Sequence, residues 1–157
     1  MPLGAMSSAA PQETFDWWDA WILLAVIYAT RSSPAATLAA TIAAADYIAH
    51  AIVTRGELET GMRRLLDNGL LTHNERGYSP GELPPEFWAA FGSQRRTVAD
   101  DLQAVTSFLG TPRSGPGPPP SPHTEDFVTK AQYKAAVDEY QGRMRASRRA
   151  KRRQNDA

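Results

Sequence analysis

The densest group of side chains capable of chemistry is a run of cations near the C-terminal end. Between positions 143 and 153 the chain carries seven Arg and Lys residues and no Asp or Glu. Uncompensated positive charge at this density neutralises phosphates, so the run predicts electrostatic binding to a polyanion without base readout. A disordered solubilising tail is the alternative interpretation. The seven residues are Arg143, Arg145, Arg148, Arg149, Lys151, Arg152 and Arg153.

The charges are unevenly divided along the chain. Up to Gly110 there are seven Lys and Arg against twelve Asp and Glu, whereas from Thr111 onward there are ten against five. The formal net charge of zero therefore conceals an acidic N-terminal part and a basic C-terminal part. Such asymmetry is typical of a globular unit with a polyanion-seeking appendage.

Signatures of catalysis or metal binding are weak. Cysteine is absent, which excludes disulfides, thiolate nucleophiles and sulfur-ligated zinc. His50 and His73, with Glu75 nearby, lack the spacing of metal ligands. Asp100 and Asp101 are neighbours on a predicted helix, so we expect them to point apart as surface charges. We therefore predict a protein that is not an enzyme, with no catalytic residue, no cofactor and no metal.

Targeting and membrane signals are also weak. The longest apolar run, residues 20–29, has ten residues, about half of the ~20 that a helix needs to span a bilayer. Residues 1–13 have neither the basic nor the apolar region of a secretory signal. Together with the absence of cysteine, these features favour a cytoplasmic protein with no membrane partner.

The elements that must position the charged groups follow from hydrophobic periodicity and capping signals. Residues 16–30 are apolar on two adjoining faces, which predicts a central core helix containing Trp17, Trp18 and Trp21. Residues 54–57 match the S/T-x-x-E capping box and should begin the third helix. The predicted elements are helices at residues 16–30, 34 or 37 to 48, 54–67, 84–91 and 96–109, and a β-hairpin within residues 70–79.

Composition divides the chain into four segments. Residues 1–13 are expected to be disordered, residues 14–111 to form the folded domain, and residues 112–124 to be a Pro/Gly-rich linker. Residues 125–157 would then hold a short helix and the basic tail. Apolar side chains recur at helical spacing over residues 125–145, but such a helix is marginal in isolation, so its folding is left open.

Three helices followed by a two-stranded hairpin is the element order of winged helix-turn-helix proteins. Residues 17–78 resemble that superfamily, and residues 44–58, AADYIAHAIVTRGEL, resemble a family of uncharacterised bacterial proteins with no known activity. The resemblance implies a mainly α fold with a small β-hairpin, as a winged-helix domain with additional C-terminal helices. Many superfamily members place the third helix in the DNA major groove and the hairpin, or wing, on the backbone, whereas others bind proteins.

The third helix departs from the DNA-binding pattern. Its first turn carries Glu57 and Glu59, and carboxylates there oppose phosphates, although a capping role for Glu57 and a solvated position for Glu59 also account for them. The wing contributes one cation, Arg76. The residues expected to face outward from the helix are Arg55, Glu57, Glu59, Thr60, Arg63, Arg64 and Asp67.

Two functional hypotheses follow. In the first, the protein is DNA-associated and resembles a small transcription regulator: Arg55, Arg63, Arg64 and Arg76 position the domain on duplex phosphates, while residues 143–153 act as an electrostatic arm. In the second, the acidic domain is a non-enzymatic adaptor that docks a protein partner through the third helix or the tryptophan face. An exposed tryptophan face would also favour a homodimer.

Overall fold

The computed structural model describes residues 14–92, 96–110 and 127–155. The predicted disordered N-terminus and the predicted linker lie outside these ranges. The expectation of a mainly α protein with a small β-hairpin is confirmed. The elements are α1 (Trp17–Ala29), α2 (Leu38–Ala49), α3 (Arg55–Asp67), β1 (Leu71–Asn74), β2 (Gly77–Pro80), α4 (Pro85–Gly92), α5 (Val98–Gly110) and α6 (Lys130–Asn155).

Helix α1 is the centre of the core. All residues from Asp19 to Ile27 are buried, and α2, α3, α5 and β2 contact the helix from different sides. Each fully buried large aliphatic side chain contributes roughly 1.5–3 kcal/mol. Of the three tryptophans expected in the core, Trp21 is 3% exposed, but Trp17 at the helix start is 51% exposed.

Helix α2 packs on α1 with an inward face that combines the small residues Ala39, Thr41 and Ala45 with Ile42 and Ile48. Its N-cap is Thr37, whose hydroxyl accepts the N–H of Ala40, and its C-cap is His50, in the left-handed region at φ 52°. Thr41 is completely buried. Its hydroxyl donates to the carbonyl of Thr37, which satisfies the buried polar group within the helix.

The hairpin is joined to the start of α2. Strands β1 and β2 are antiparallel with Leu71 opposite Pro80, and Tyr78 of β2 forms an isolated bridge with Ala36, which precedes α2. Gly77 begins β2 with a φ of 131°. A Cβ there would collide with the carbonyl of Ala36, so glycine permits the close approach of the two chains.

Helix α6 is longer than the sequence indicated. The range left open was 125–145, whereas the helix begins at Lys130 and continues to Asn155, through most of the basic tail. Its N-terminal part packs along α2, where Ala136 and Tyr140 are buried. Just before the helix, residues 127–129, here called the return segment, lie against the domain, and Val128 is 1% exposed.

An ion pair joins α1 to α3 inside the core. Asp19 is completely buried, and its Oδ2 lies 2.6 Å from Nη1 of Arg64 and accepts the N–H of Asp16. Burial raises the pKa of Asp19 above 3.8, although the Asp16 N–H and Arg64 both favour the charged form. The helices approach closely at Gly61, where a Cβ would overlap Ile22 and lie 3.3 Å from Oδ1 of Asp19.

Removing the buried carboxylate should be far more damaging than removing an exposed one. We expect Asp19→Ala to lower the free energy of unfolding by about 3 kcal/mol, because Arg64 loses its buried partner. Asp138→Ala removes the partner of Lys134 from an exposed pair on α6 and should cost no more than about 0.5 kcal/mol. Urea titrations of both variants check this, and equal midpoints would contradict it.

Candidate nucleic-acid interface

Helix α3 has few fully exposed residues. Thr54 is its N-cap, and Glu57 completes the predicted capping box by accepting the Thr54 N–H at 2.8 Å. Of the thirteen residues in this helix, only Gly56 and Thr60 are exposed. A helix that enters a DNA groove needs an exposed polar face. Because α3 exposes few residues fully, few of its side chains are accessible to base edges.

The arginines predicted on the outer face of α3 have intramolecular partners. Arg64 faces α1, where it pairs with Asp19 and with Asp16 at 3.0 Å. Arg63 pairs with Glu59 at 2.5 Å. Because their charges are matched by carboxylates, these two residues supply little net attraction for a phosphate backbone.

The return segment is clamped onto the first half of α3. The carboxylate of Glu59 accepts the N–H groups of both Phe127, at 2.8 Å, and Val128. In the opposite direction, Nη1 of Arg55 donates to the carbonyl of Val128 at 3.0 Å. Glu59 is therefore not the solvated helix position that the sequence suggested. The backbone groups that it binds lie nearly seventy residues away in the chain, so no local sequence pattern indicates them.

The clamp alters the ionisation of Glu59. Burial raises the pKa of this carboxyl, but the N–H of Phe127, Arg63 and the N–H of Val128 together outweigh burial, and the net pKa lies below 4.5. A lowered pKa means that the clamp stabilises the fold fully at pH values above the ordinary glutamate range. That stabilisation is lost as the pH falls through the pKa of the folded state.

The hairpin contributes little positive charge. Arg76 lies in the turn between β1 and β2 and is exposed, and its N–H donates to Oδ1 of Asn74. On the strands, His73 and Tyr78 contact Phe127 of the return segment, with ring centroids 5.4 and 5.9 Å apart. The hairpin therefore helps to hold the return segment and presents one arginine to solvent.

The cations of the C-terminal run form one continuous exposed surface. Residues 142–155, the basic half of α6, are all exposed and extend for about 21 Å at ~1.5 Å per residue. Arg143 pairs with Glu139, whereas the other six form no ion pair with any residue that the structure describes. A helical stripe is formed by four of them, spaced at i, i+3, i+4 and i+7. These are Arg145, Arg148, Arg149 and Arg152.

The first half of α6 holds the basic half in place. The hydroxyl of Tyr133 donates to the carbonyl of Val53 at 2.8 Å, and that of Tyr140 donates to Asp46. The bond to Asp46, assisted by burial, raises the pKa of Tyr140 to about 12, so the tyrosine stays protonated at neutral pH. The arginine stripe lies roughly 130° around the helix from these tyrosines, because each residue turns the helix by about 100°.

The remaining candidates for chemistry do not form a reactive cluster. Among the described residues, no group of three His, Asp or Glu could hold a metal ion. The expectation that both Asp100 and Asp101 are surface charges is wrong for Asp101, which is 4% exposed. It accepts from Tyr28 and Arg96, whereas Asp100 caps α5 through Thr97. No helix in the described ranges has the length and apolarity needed to cross a membrane.

The chain matches no protein-family model, no curated protein and no solved structure. Its function must therefore be inferred from the arrangement of its own side chains. Of the predicted phosphate-binding groups, Arg55, Arg63 and Arg64 have partners inside the domain, and the largest set of exposed cations belongs to α6. The C-terminal arm is thus the better candidate for an interface.

The lowered pKa of Glu59 makes the clamp sensitive to acid. We expect Glu59→Gln to increase amide hydrogen exchange at Phe127 and Val128 about tenfold, because two charge-assisted hydrogen bonds become neutral ones. Wild-type protection should fall as the pH drops below the glutamate range, and the variant should lack that acid-dependent step. Two-dimensional NMR with correction for intrinsic exchange measures this.

Glu75→Gln is the matched control, because Glu75 is exposed in the hairpin turn. Its exchange rates at Phe127 and Val128 should equal those of the wild type. If Glu59→Gln leaves both rates unchanged at neutral pH, the carboxylate does not hold the return segment.

Proposed function

We propose that this protein binds duplex DNA without sequence specificity, through the basic half of α6. The observation that carries the proposal is the exposed set of six cations that no described carboxylate neutralises. Binding of such a surface to a polyanion releases condensed counterions, which is a strong driving force at low salt. The acidic domain then acts as the base on which the arm is mounted.

A duplex fits the shape of the arm. An α-helix is narrow enough to enter the major groove, and the basic half extends for about 21 Å, which allows several phosphate contacts. Contacts that Arg and Lys make to phosphates carry no sequence information, and the proposal assigns these cations to phosphates instead of to base edges. Within the basic half, amide side chains occur at the extreme end alone, at Gln154 and Asn155. We therefore infer affinity without a preferred operator.

We further propose that residues 17–80 are a winged-helix domain. Support comes from the order of three helices and a hairpin, and from the isolated antiparallel bridge between Ala36 and Tyr78, which joins the segment before α2 to β2. In this assignment α3 is the counterpart of the recognition helix. Its face is occupied by the return segment, so the proposal assigns DNA contact to α6 instead of to α3.

The second candidate is a protein-interaction adaptor, and one observation favours it. Trp17 is 51% exposed and stacks on Trp21 with the ring centroids 5.2 Å apart, and exposed tryptophan is common in protein interfaces. In this hypothesis the domain docks an unidentified protein and the basic arm assists through charge. If the wild type does not bind duplex DNA, the adaptor hypothesis is favoured. If duplex binding persists after the α6 arginines are removed, neither DNA binding through α6 nor the adaptor hypothesis accounts for it.

The proposal predicts a specific loss of salt dependence. Changing both Arg148 and Arg152 to Gln in the full chain should reduce the slope of log K against log salt concentration by about 2, because each phosphate contact contributes roughly 0.9. Fluorescence anisotropy with a labelled duplex across a salt series measures the slope. Duplexes of unrelated sequence should bind the wild type equally.

A charge-matched control separates the arm from general electrostatics. Arg76 and Lys130 are exposed cations outside the stripe, and changing both to Gln removes the same net charge. This control should keep the wild-type slope. Equal slopes for the stripe variant and the control variant would contradict assignment of the interface to α6.

A further inference from the structure

We propose that a cleft beside α1 binds a small aromatic monocarboxylate. The cleft has a volume of about 440 Å³, within the usual range for small-molecule sites, and lies between the C-terminal end of α1, the outer face of α2 and the start of α5. It is separate from the basic half of α6, so the inference does not rest on DNA binding. The lining residues that carry the argument are Tyr28, Arg31, Tyr47, Phe91, Arg96 and Asp101.

The floor of the cleft is built around a buried charge. Asp101 is 4% exposed; its Oδ2 accepts the hydroxyl of Tyr28 at 2.5 Å, and its Oδ1 accepts Nε of Arg96 at 2.8 Å. Arg96 is held further by the carbonyls of Ala90 and Asp100. Burial of a carboxylate costs free energy unless hydrogen bonds and opposite charges compensate it. Here the buried carboxylate of Asp101 holds the side chains of Tyr28 and Arg96 in place, and such buried charged groups are common at functional sites.

The mouth of the cleft carries an exposed cation, Arg31. The guanidinium of Arg31 lies 4.0 Å from the centroid of the Tyr28 ring, and its side chain is 58% exposed. Its Nη2 forms an ion pair with Oδ2 of Asp101 at 3.6 Å, beyond hydrogen-bond distance, and its side chain donates no hydrogen bond to any residue within the described ranges. The planar fork of donors is therefore open to a carboxylate, which it can bind through two parallel hydrogen bonds.

The walls favour an aromatic ring. Tyr47 is 62% exposed, and its ring centroid lies 6.3 Å from that of Tyr28. Phe91 closes another side, beneath the guanidinium of Arg96 at 5.6 Å. A flat apolar ligand would contact these rings and cover the exposed face of Tyr47.

The charge count indicates a single negative charge on the ligand. Among the described residues of the lining, Arg31 and Arg96 against Asp101 leave one positive charge, and Asp100, the neighbouring carboxylate, is directed to Thr97 at the start of α5. Tyr28 does not add a charge, because burial and its bond to Asp101 raise its pKa to about 12. A monocarboxylate matches this balance, whereas a dianionic phosphate would exceed it.

The test is titration of the ¹⁵N-labelled full chain with 2-naphthoate, followed by NMR. We expect saturable shifts at the amides of Arg31 and Tyr47, and no saturation with the neutral analogue 2-naphthylmethanol or the non-aromatic cyclohexanecarboxylate. Arg31→Gln should weaken 2-naphthoate binding about tenfold by removing the charge-assisted pair. Tyr47→Ala should also weaken 2-naphthoate binding. Because the Tyr47 side chain is exposed, this substitution should leave the fold intact.

Arg76→Gln is the control, because it removes an exposed arginine on the hairpin and should leave 2-naphthoate affinity unchanged. Shifts that do not saturate, or equal affinities for Arg31→Gln and wild type, would overturn the proposal. Equal binding of 2-naphthoate and 2-naphthylmethanol would overturn the carboxylate assignment. Tyr47→Ala should retain wild-type affinity for duplex DNA, so failure of the ligand site and failure of the DNA interface can be told apart.

Discussion

Nine consecutive buried residues in α1 impose a constraint on every other element: the helix must be covered on all sides. A helix with a single apolar stripe needs one neighbour, but α1 is contacted by α2, α3, α5 and β2. The need to surround α1 explains why α2 is rich in alanine, since small side chains allow two helices to approach closely. It also explains why a glycine, Gly61, stands where α3 meets Ile22. The charged ends of the surrounding helices are thereby brought against one another.

That arrangement accounts for the distribution of charge within the domain. Asp19 is buried together with α1 and requires a cation, which Arg64 supplies from α3. Glu59, one turn earlier on α3, is satisfied by Arg63 and by the backbone of the return segment. Carboxylates and guanidinium groups that resemble surface charges in the sequence thus form ion pairs and hydrogen bonds that hold the elements together. Among the described residues, the largest set of cations that is not used in this way lies beyond the packed helices, in the basic half of α6.

Local signals were sufficient to predict most of the elements. The capping box at Thr54 and Glu57, the apolar breadth of α1 and the turn around Gly77 are all encoded within a few residues, and helices α1 to α5 and the hairpin were placed close to their observed bounds. Contacts between distant residues were not predictable in this way. Burial of Asp101 depends on Tyr28, and the position of Glu59 depends on Phe127. No periodicity within a single element contains such information.

Helix α6 shows how a local preference and a distant contact combine. Residues 142–155 are rich in Arg, Ala, Lys and Gln, which have high helix propensity, but repulsion between seven cations opposes an isolated helix. Nucleation is the costly step of helix formation. Tyr133 and Tyr140 offset this cost because they dock the first half of α6 on the domain. Propagation into the basic half then adds one hydrogen bond per residue. A polyanion would remove the remaining repulsion, so the same charges that disfavour the free helix would stabilise the bound one.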